Sequence, residues 1–124
     1  MIVLDLKDAR PLYEQIVERF KHLILCGALP EDEKMPSVRN LAMELSINPN
    51  TIQRAYMELE RQGFIYSVKG RGSFVSFNEE LLSLKQKEVM EKLQKAVEAA
   101  KGVQIPEEEV QKSVKRIYRG EEMK

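Results

Sequence analysis

"PSVRNLAMELSINPNTIQRAYMELERQG" spans residues 36–63, and its reading decides the fold. Ser37 stands ahead of Val38, Leu41, Ala42 and Leu45, which recur at helical spacing, so Ser37 reads as an N-cap. Ser46 and Ile47 leave room only for a tight turn. Asn48 is the next cap, and Pro49 takes the first helical position, where a missing N–H costs nothing. Ile52, Ala55, Tyr56 and Leu59 line one face of the following helix, and Gly63 stops it. Two helices joined by a short turn make a helix-turn-helix unit.

Upstream, Asp8 and Pro11 are start signals for an amphipathic helix. Its apolar positions are Leu12, Ile16, Phe20, Leu23 and Ile24, and Gly27 is its stop. "IVLDL", residues 2–6, alternates apolar and polar and fits a short strand or an extended arm. "ALPEDEKMP", residues 28–36, reads as a polar connection. Downstream, "FIYSV" and "SFVSF" flank "KGRG", two short apolar runs around a glycine turn, which predicts a β-hairpin. The expected fold is mainly α with a small β-hairpin: a winged helix-turn-helix domain over residues 1–77.

From Asn78 the composition changes, so residues 78–124 are read as a separate helical segment. Leu82, Val89, Leu93, Ala96 and Ala100 form one apolar seam, and Gly102 ends that helix. A second helix follows Pro106, with Val110, Val114, Ile117 and Tyr118 as its stripe and Gly120 as its stop. Its acids sit at the N-terminus and Lys115, Arg116 and Arg119 near the C-terminus, which matches the helix dipole. Two such helices cannot build an independent core. Their stripes either pack back on the first domain or pair with a second copy.

Composition excludes several classes of function. The chain has 124 residues, a formal net charge of zero, one cysteine and one histidine. Cys26 and His22 cannot make a zinc cluster or an internal disulfide, and a reducing cytoplasm is expected. Cys26, in "LILCG", reads as a small buried hydrophobe. No nucleophile motif, paired catalytic acids or phosphate loop appears, so neither an enzyme nor a cofactor is expected. No apolar run is long enough to span a bilayer, and the N-terminus lacks the features of a signal peptide.

The chemistry lies in the recognition helix and the hairpin. Asn50, Thr51, Gln53 and Arg54 face away from Ile52, Ala55 and Leu59. Arginine can donate twice to guanine, an amide can pair with adenine, and threonine can meet a phosphate or a thymine methyl. Lys69, Gly70 and Arg71 at the hairpin tip can approach a phosphate or a minor groove. Between Pro36 and Ser73 there are five Lys/Arg against three Asp/Glu. The competing reading is a winged helix used only for protein–protein contact, with Lys69 and Arg71 merely solvated.

"PLYEQIVERFKHLILCG", "MPSVRNLAMEL", "INPNTIQRAYMELERQGFI" and "GRGSFV" together resemble the N-terminal domain of GntR-type bacterial transcription regulators over about residues 3–77. "NPNTIQRAY" with a short C-terminal piece is most like the YtrA-type branch. The resemblance implies a regulator, often a repressor, that binds a double-stranded, two-fold-related DNA operator as a homodimer, with residues 78–124 as its helical dimerisation segment. It implies contacts to phosphate or base from Ser37 and Arg39. It places Pro49, Asn50, Thr51, Gln53 and Arg54 on the recognition helix and Lys69, Gly70 and Arg71 on the wing. It names no effector. The family usually has Pro-Gly where Glu31 and Asp32 stand and leucine where Met35 stands, so an altered loop in an intact fold is expected. Some branches carry arginine at the position of Gln53, so their operators do not transfer.

Overall fold

The structure is a computed structural model that describes residue 4 and residues 7–120. The arm read at residues 2–6 falls almost wholly outside them. Five helices and one hairpin follow in order: α1 Leu12–Leu25, α2 Val38–Leu45, α3 Pro49–Arg61, β1 Ile65–Val68, β2 Gly72–Val75, α4 Glu79–Gly102 and α5 Glu107–Arg119. They form two compact units, residues 1–79 and 80–124.

In the first unit the caps act as their residue types require. The Ser37 hydroxyl accepts from the Asn40 N–H at 3.1 Å, and the Asn48 side chain accepts from the Asn50 N–H at 2.8 Å. Between these helices Ser46 takes a left-handed conformation (φ 56°), which lets the Ile47 N–H reach back to the Ala42 carbonyl at 3.0 Å. The turn is therefore short and closed by its own backbone.

Ile16, Phe20 and Ile24 of α1 meet Leu41 and Ala42 of α2 and Ile52, Ala55, Tyr56 and Leu59 of α3 in one buried core. Phe20 and Tyr56 make an edge-to-face pair with centroids 5.9 Å apart. Phe64, Ile65 and Val75 extend that core under the hairpin. Burial of these side chains, each worth about 1.5–3 kcal/mol when large and apolar, fixes α3 against α1 and α2. Leu12, Leu23 and Leu45 are only half-buried.

β1 and β2 pair antiparallel with Ile65 opposite Val75 and Val68 opposite Gly72. Gly70 turns the tip with φ 80°, and the Arg71 N–H donates to the Val68 carbonyl at 2.9 Å. The connection read as purely polar does more than connect. The Asp32 N–H donates to Val75 and the Met35 N–H to Ser73, while Glu33 accepts from Val75, each at 2.8 Å. β2 is thus held on both edges, and Met35 joins the core. Asp32 adopts φ 67°, the left-handed conformation that glycine favours. The Tyr66 hydroxyl donates to its carboxylate at 2.8 Å.

One side chain departs from the sequence reading. Cys26 is exposed, not buried, because it caps α1 just beyond the last core residue, Ile24. Gln15 is buried, and its amide is satisfied by the Arg10 carbonyl at 3.2 Å.

In the second unit, α4 and α5 are joined by a short turn in which Gln104 takes φ 65° and the Ile105 N–H returns to the Ala100 carbonyl at 3.0 Å. Acids in the first turn of α5, bases in its last and a left-handed Gly120 cap complete it. Neither helix buries a single residue.

Candidate nucleic-acid interface

The recognition helix presents what its periodicity requires. Ile52, Ala55, Tyr56 and Leu59 turn inward, leaving Asn50, Gln53 and Arg54 exposed on the opposite side. Thr51 is half-buried at the edge of that face. Pro49 sets the helix start and offers no donor. Ser37 accepts through its lone pair as a cap and keeps its hydroxyl proton free to donate outward. Arg39 is exposed on the first turn of α2.

The wing carries Lys69, Gly70 and Arg71, all exposed. A Cβ at Gly70 would meet nothing, so its glycine serves the backbone turn. Gly72 differs: φ is 107°, and a Cβ there would sit 3.3 Å from Lys34 Cε. Lys34 therefore lies across the base of the wing.

The ion pairs show how the charge is distributed. Arg10, Lys21, Arg61, Lys85, Lys92 and Lys112 each pair with a carboxylate. Arg39, Arg54, Lys69 and Arg71 pair with none among the described residues, and neither does Lys34. A chain of zero net charge thus keeps uncompensated cations on the recognition helix, α2 and the wing, as it also does on α4 and α5. On α3 itself, Arg61 is tied to Glu58, so the free positive charge lies toward the helix N-terminus. Arg61 and the Gln62 amide hold the Glu58 carboxyl down to about 2, so it remains ionised and pairs locally.

Three residues of this surface were not singled out from the sequence. Met57, 61% exposed, follows Gln53 by one turn on the same face; an apolar side chain there suits a thymine methyl. Its signal was the i+4 spacing. Lys34 was read as part of a loop. Tyr13 of α1 lies with its ring centroid 3.8 Å from the Arg54 guanidinium carbon, and nothing in the local sequence announces that pairing.

In the second unit, Leu93, Ala96, Val110, Val114 and Ile117 line one open groove of about 670 Å³ between α4 and α5. Leu82, Val89 and Tyr118 lie outside it. Tyr118 is 88% exposed. No group of side chains suited to a metal ion occurs among the described residues. No helix among them is long and apolar enough to cross a membrane.

A three-helix core with a capped helix-turn-helix, a hairpin whose second strand is held on both edges and unpaired cations on its exposed faces defines a winged helix-turn-helix of the DNA-reading class. Residues 12–75 match the gntR family of bacterial regulatory proteins, and the chain belongs to that family. It is 46% identical over 78 residues to the HTH-type transcriptional repressor YtrA of Bacillus subtilis, covering 63% of this chain and 60% of that relative's own length. The crystal structure of a transcriptional regulator from Oenococcus oeni matches with a TM-score of 0.71 and 29% identity, over 95% of this chain and 99% of that one. The DNA-binding domain of AraR in complex with an operator matches with a TM-score of 0.53 and 32% identity, over 60% of this chain and 89% of that one.

Proposed function

We propose that this protein is a sequence-specific DNA-binding transcription regulator, a repressor, that acts in the cytoplasm and binds a two-fold-related operator as a homodimer. The observation that carries the reading is the exposed edge of Asn50, Gln53 and Arg54 backed by a fully buried face, with the wing cations left unpaired. Asn50 and Gln53 supply amides for adenine, Met57 an apolar contact, and Arg39, Lys69 and Arg71 phosphate or minor-groove contacts. The likeness to a YtrA repressor and to an operator-bound AraR domain supports it.

The second unit supports the homodimer. Exposed Val89, Met90, Leu93, Val97, Val114 and Ile117 make α4 and α5 apolar where isolated helices would be polar. The same segment carries both an acidic helix start and a basic helix end, so a second copy in antiparallel register meets it with complementary charge. Pairing gives two recognition helices and half-sites about one helical turn, or a multiple, apart.

Selection of bound duplexes from a random DNA pool tests the whole reading. A two-fold-related consensus, bound with an affinity that falls steeply with salt, is the expected result. Equal binding to selected and random duplexes leaves only the protein–protein module.

A further inference from the structure

The Arg54 guanidinium does not stand out over the centre of the recognition face. Its carbon lies 3.8 Å from the Tyr13 ring centroid, a stacking contact supplied by α1. α1 flanks α3 on the side of Glu58 and Gln62, which share a cleft with Tyr13 and Val17. Asn50, Thr51 and Arg54 in turn border a shallow open cleft with Pro11 and Tyr13. Gln53 and Met57 border neither cleft.

Stacking occupies the face of a guanidinium and leaves its N–H donors, which lie in the plane, pointing outward. Arg54 makes no hydrogen bond or ion pair among the described residues, so those donors are uncommitted. A free arginine loses much rotamer freedom when it meets a ligand, and the ring removes part of that cost beforehand. A planar fork held at the flank of a groove-reading helix fits two phosphate oxygens.

Resting on the DNA-binding reading above, we propose that Tyr13 is a positioning residue: its ring holds Arg54 for a DNA phosphate on the α1 side of the groove, leaving base readout to Asn50 and Gln53. The aromatic face does this work. The Tyr13 hydroxyl, 3.3 Å from Glu14 Oε1, is not needed.

The test is an anisotropy titration of the full-length protein. One duplex is recovered by random-pool selection, the other is a scramble of it, and both are titrated at several salt concentrations. Tyr13→Leu weakens binding to both duplexes equally, by about two- to fivefold, and leaves their ratio unchanged. Arg54→Ala weakens both further and lowers the salt slope by about one. Tyr13→Phe binds as wild type, and Tyr13→Leu has no added effect in an Arg54→Ala background. Arg54→Lys, an exposed change that leaves the core untouched, shows the same shared loss because it keeps the charge without the planar fork. Thermal melts of each variant show that loss of binding is not loss of fold.

A Tyr13→Leu variant that changes the ratio instead of the shared affinity overturns the proposal, because Arg54 then reads a base. So does an undiminished Tyr13→Leu effect in the Arg54→Ala background. A wild type that does not discriminate the two duplexes overturns the DNA reading itself, a different result from either.

Discussion

The Tyr56 hydroxyl donates to the Pro36 carbonyl at 2.7 Å, tying the recognition helix to the residue just ahead of α2. Tyr56 is 5% exposed, and burial pushes its hydroxyl pKa above the ordinary value of 10.0. The bond sets the spacing between the two helices of the motif. Tyr56→Phe keeps the edge-to-face contact with Phe20 but leaves the carbonyl without this donor. It should destabilise the fold by about 1–2 kcal/mol in urea unfolding. An unchanged midpoint would mean that water replaces the hydroxyl. Because the folded state holds the proton, stability also falls as pH rises past about 10, where the unfolded tyrosine ionises. Tyr56→Phe removes this residue's share of that alkaline loss.

Asp32 at φ 67° and the Tyr66 hydroxyl explain how the loop survives without its usual glycine. The carboxylate bond offsets the backbone cost, and it raises the Tyr66 pKa. Asp32→Ala keeps the strained backbone and loses the bond, whereas Asp32→Gly loses the bond but relaxes the backbone. Asp32→Gly should therefore be more stable than Asp32→Ala by about 1 kcal/mol. Equal unfolding midpoints would show that the loop does not hold this conformation.

The Glu58 carboxyl, held down to about 2 by Arg61 and then by Gln62, gives α3 an acid-sensitive contact. Its folded pKa lies below the unfolded value, so its stabilisation is complete above about pH 5 and is lost as pH falls toward 2. The melting-temperature gap between wild type and Glu58→Gln should be widest near neutrality and close by pH 2. As Glu58 is solvent-accessible, molar salt should shrink the gap as well. A gap independent of pH would assign the effect to helix propensity.

Base and phosphate contacts should separate in mutant titrations. Asn50→Ala and Gln53→Ala should each cost about 1–3 kcal/mol on the selected duplex and relax the preference at one position. Arg71→Ala and Lys69→Ala should weaken selected and random duplexes alike and lower the salt slope by about one each. A specificity change at Arg71 would instead place the wing in a minor groove, reading its width.

How legible all this was depends on the range of the interactions. Ser37 and Asn48 announce their helices because capping acts within three residues, and their bonds to Asn40 and Asn50 follow the local pattern. The inward face of α3 is equally local, since it follows from spacing alone. Cys26 misled because an apolar neighbourhood in sequence continues past the last buried turn of α1. The pairing of Lys34 with Phe74, and the Tyr13–Arg54 stack, depend on elements brought together only by the fold. No periodicity within α1 or α3 states the side on which they meet. The chemistry at Arg54 was therefore visible as residue type while its orientation was not.

The proposed dimer would use surface that a lone chain leaves in water. Ile117 is 63% exposed, Leu93 is 45% exposed, and both line the groove between α4 and α5. A second copy covering that groove gains the transfer energy of both side chains, whereas an unpaired aspartate placed there would lose its hydration. Ile117→Asp and Leu93→Asp should therefore give monomers at micromolar concentration by sedimentation velocity, with the helical content of wild type. Each monomer would carry one recognition helix and should bind a two-fold duplex at least about a hundredfold more weakly, through loss of effective concentration alone. A chain ending at Phe77 should behave in the same way, since it keeps α1 to β2 and loses both seams. If the full-length protein sediments as a monomer, the groove has another occupant and two-fold operator binding fails with it. If the aspartate variants stay dimeric, the contact instead uses Leu82, Val89 or Tyr118, outside the groove.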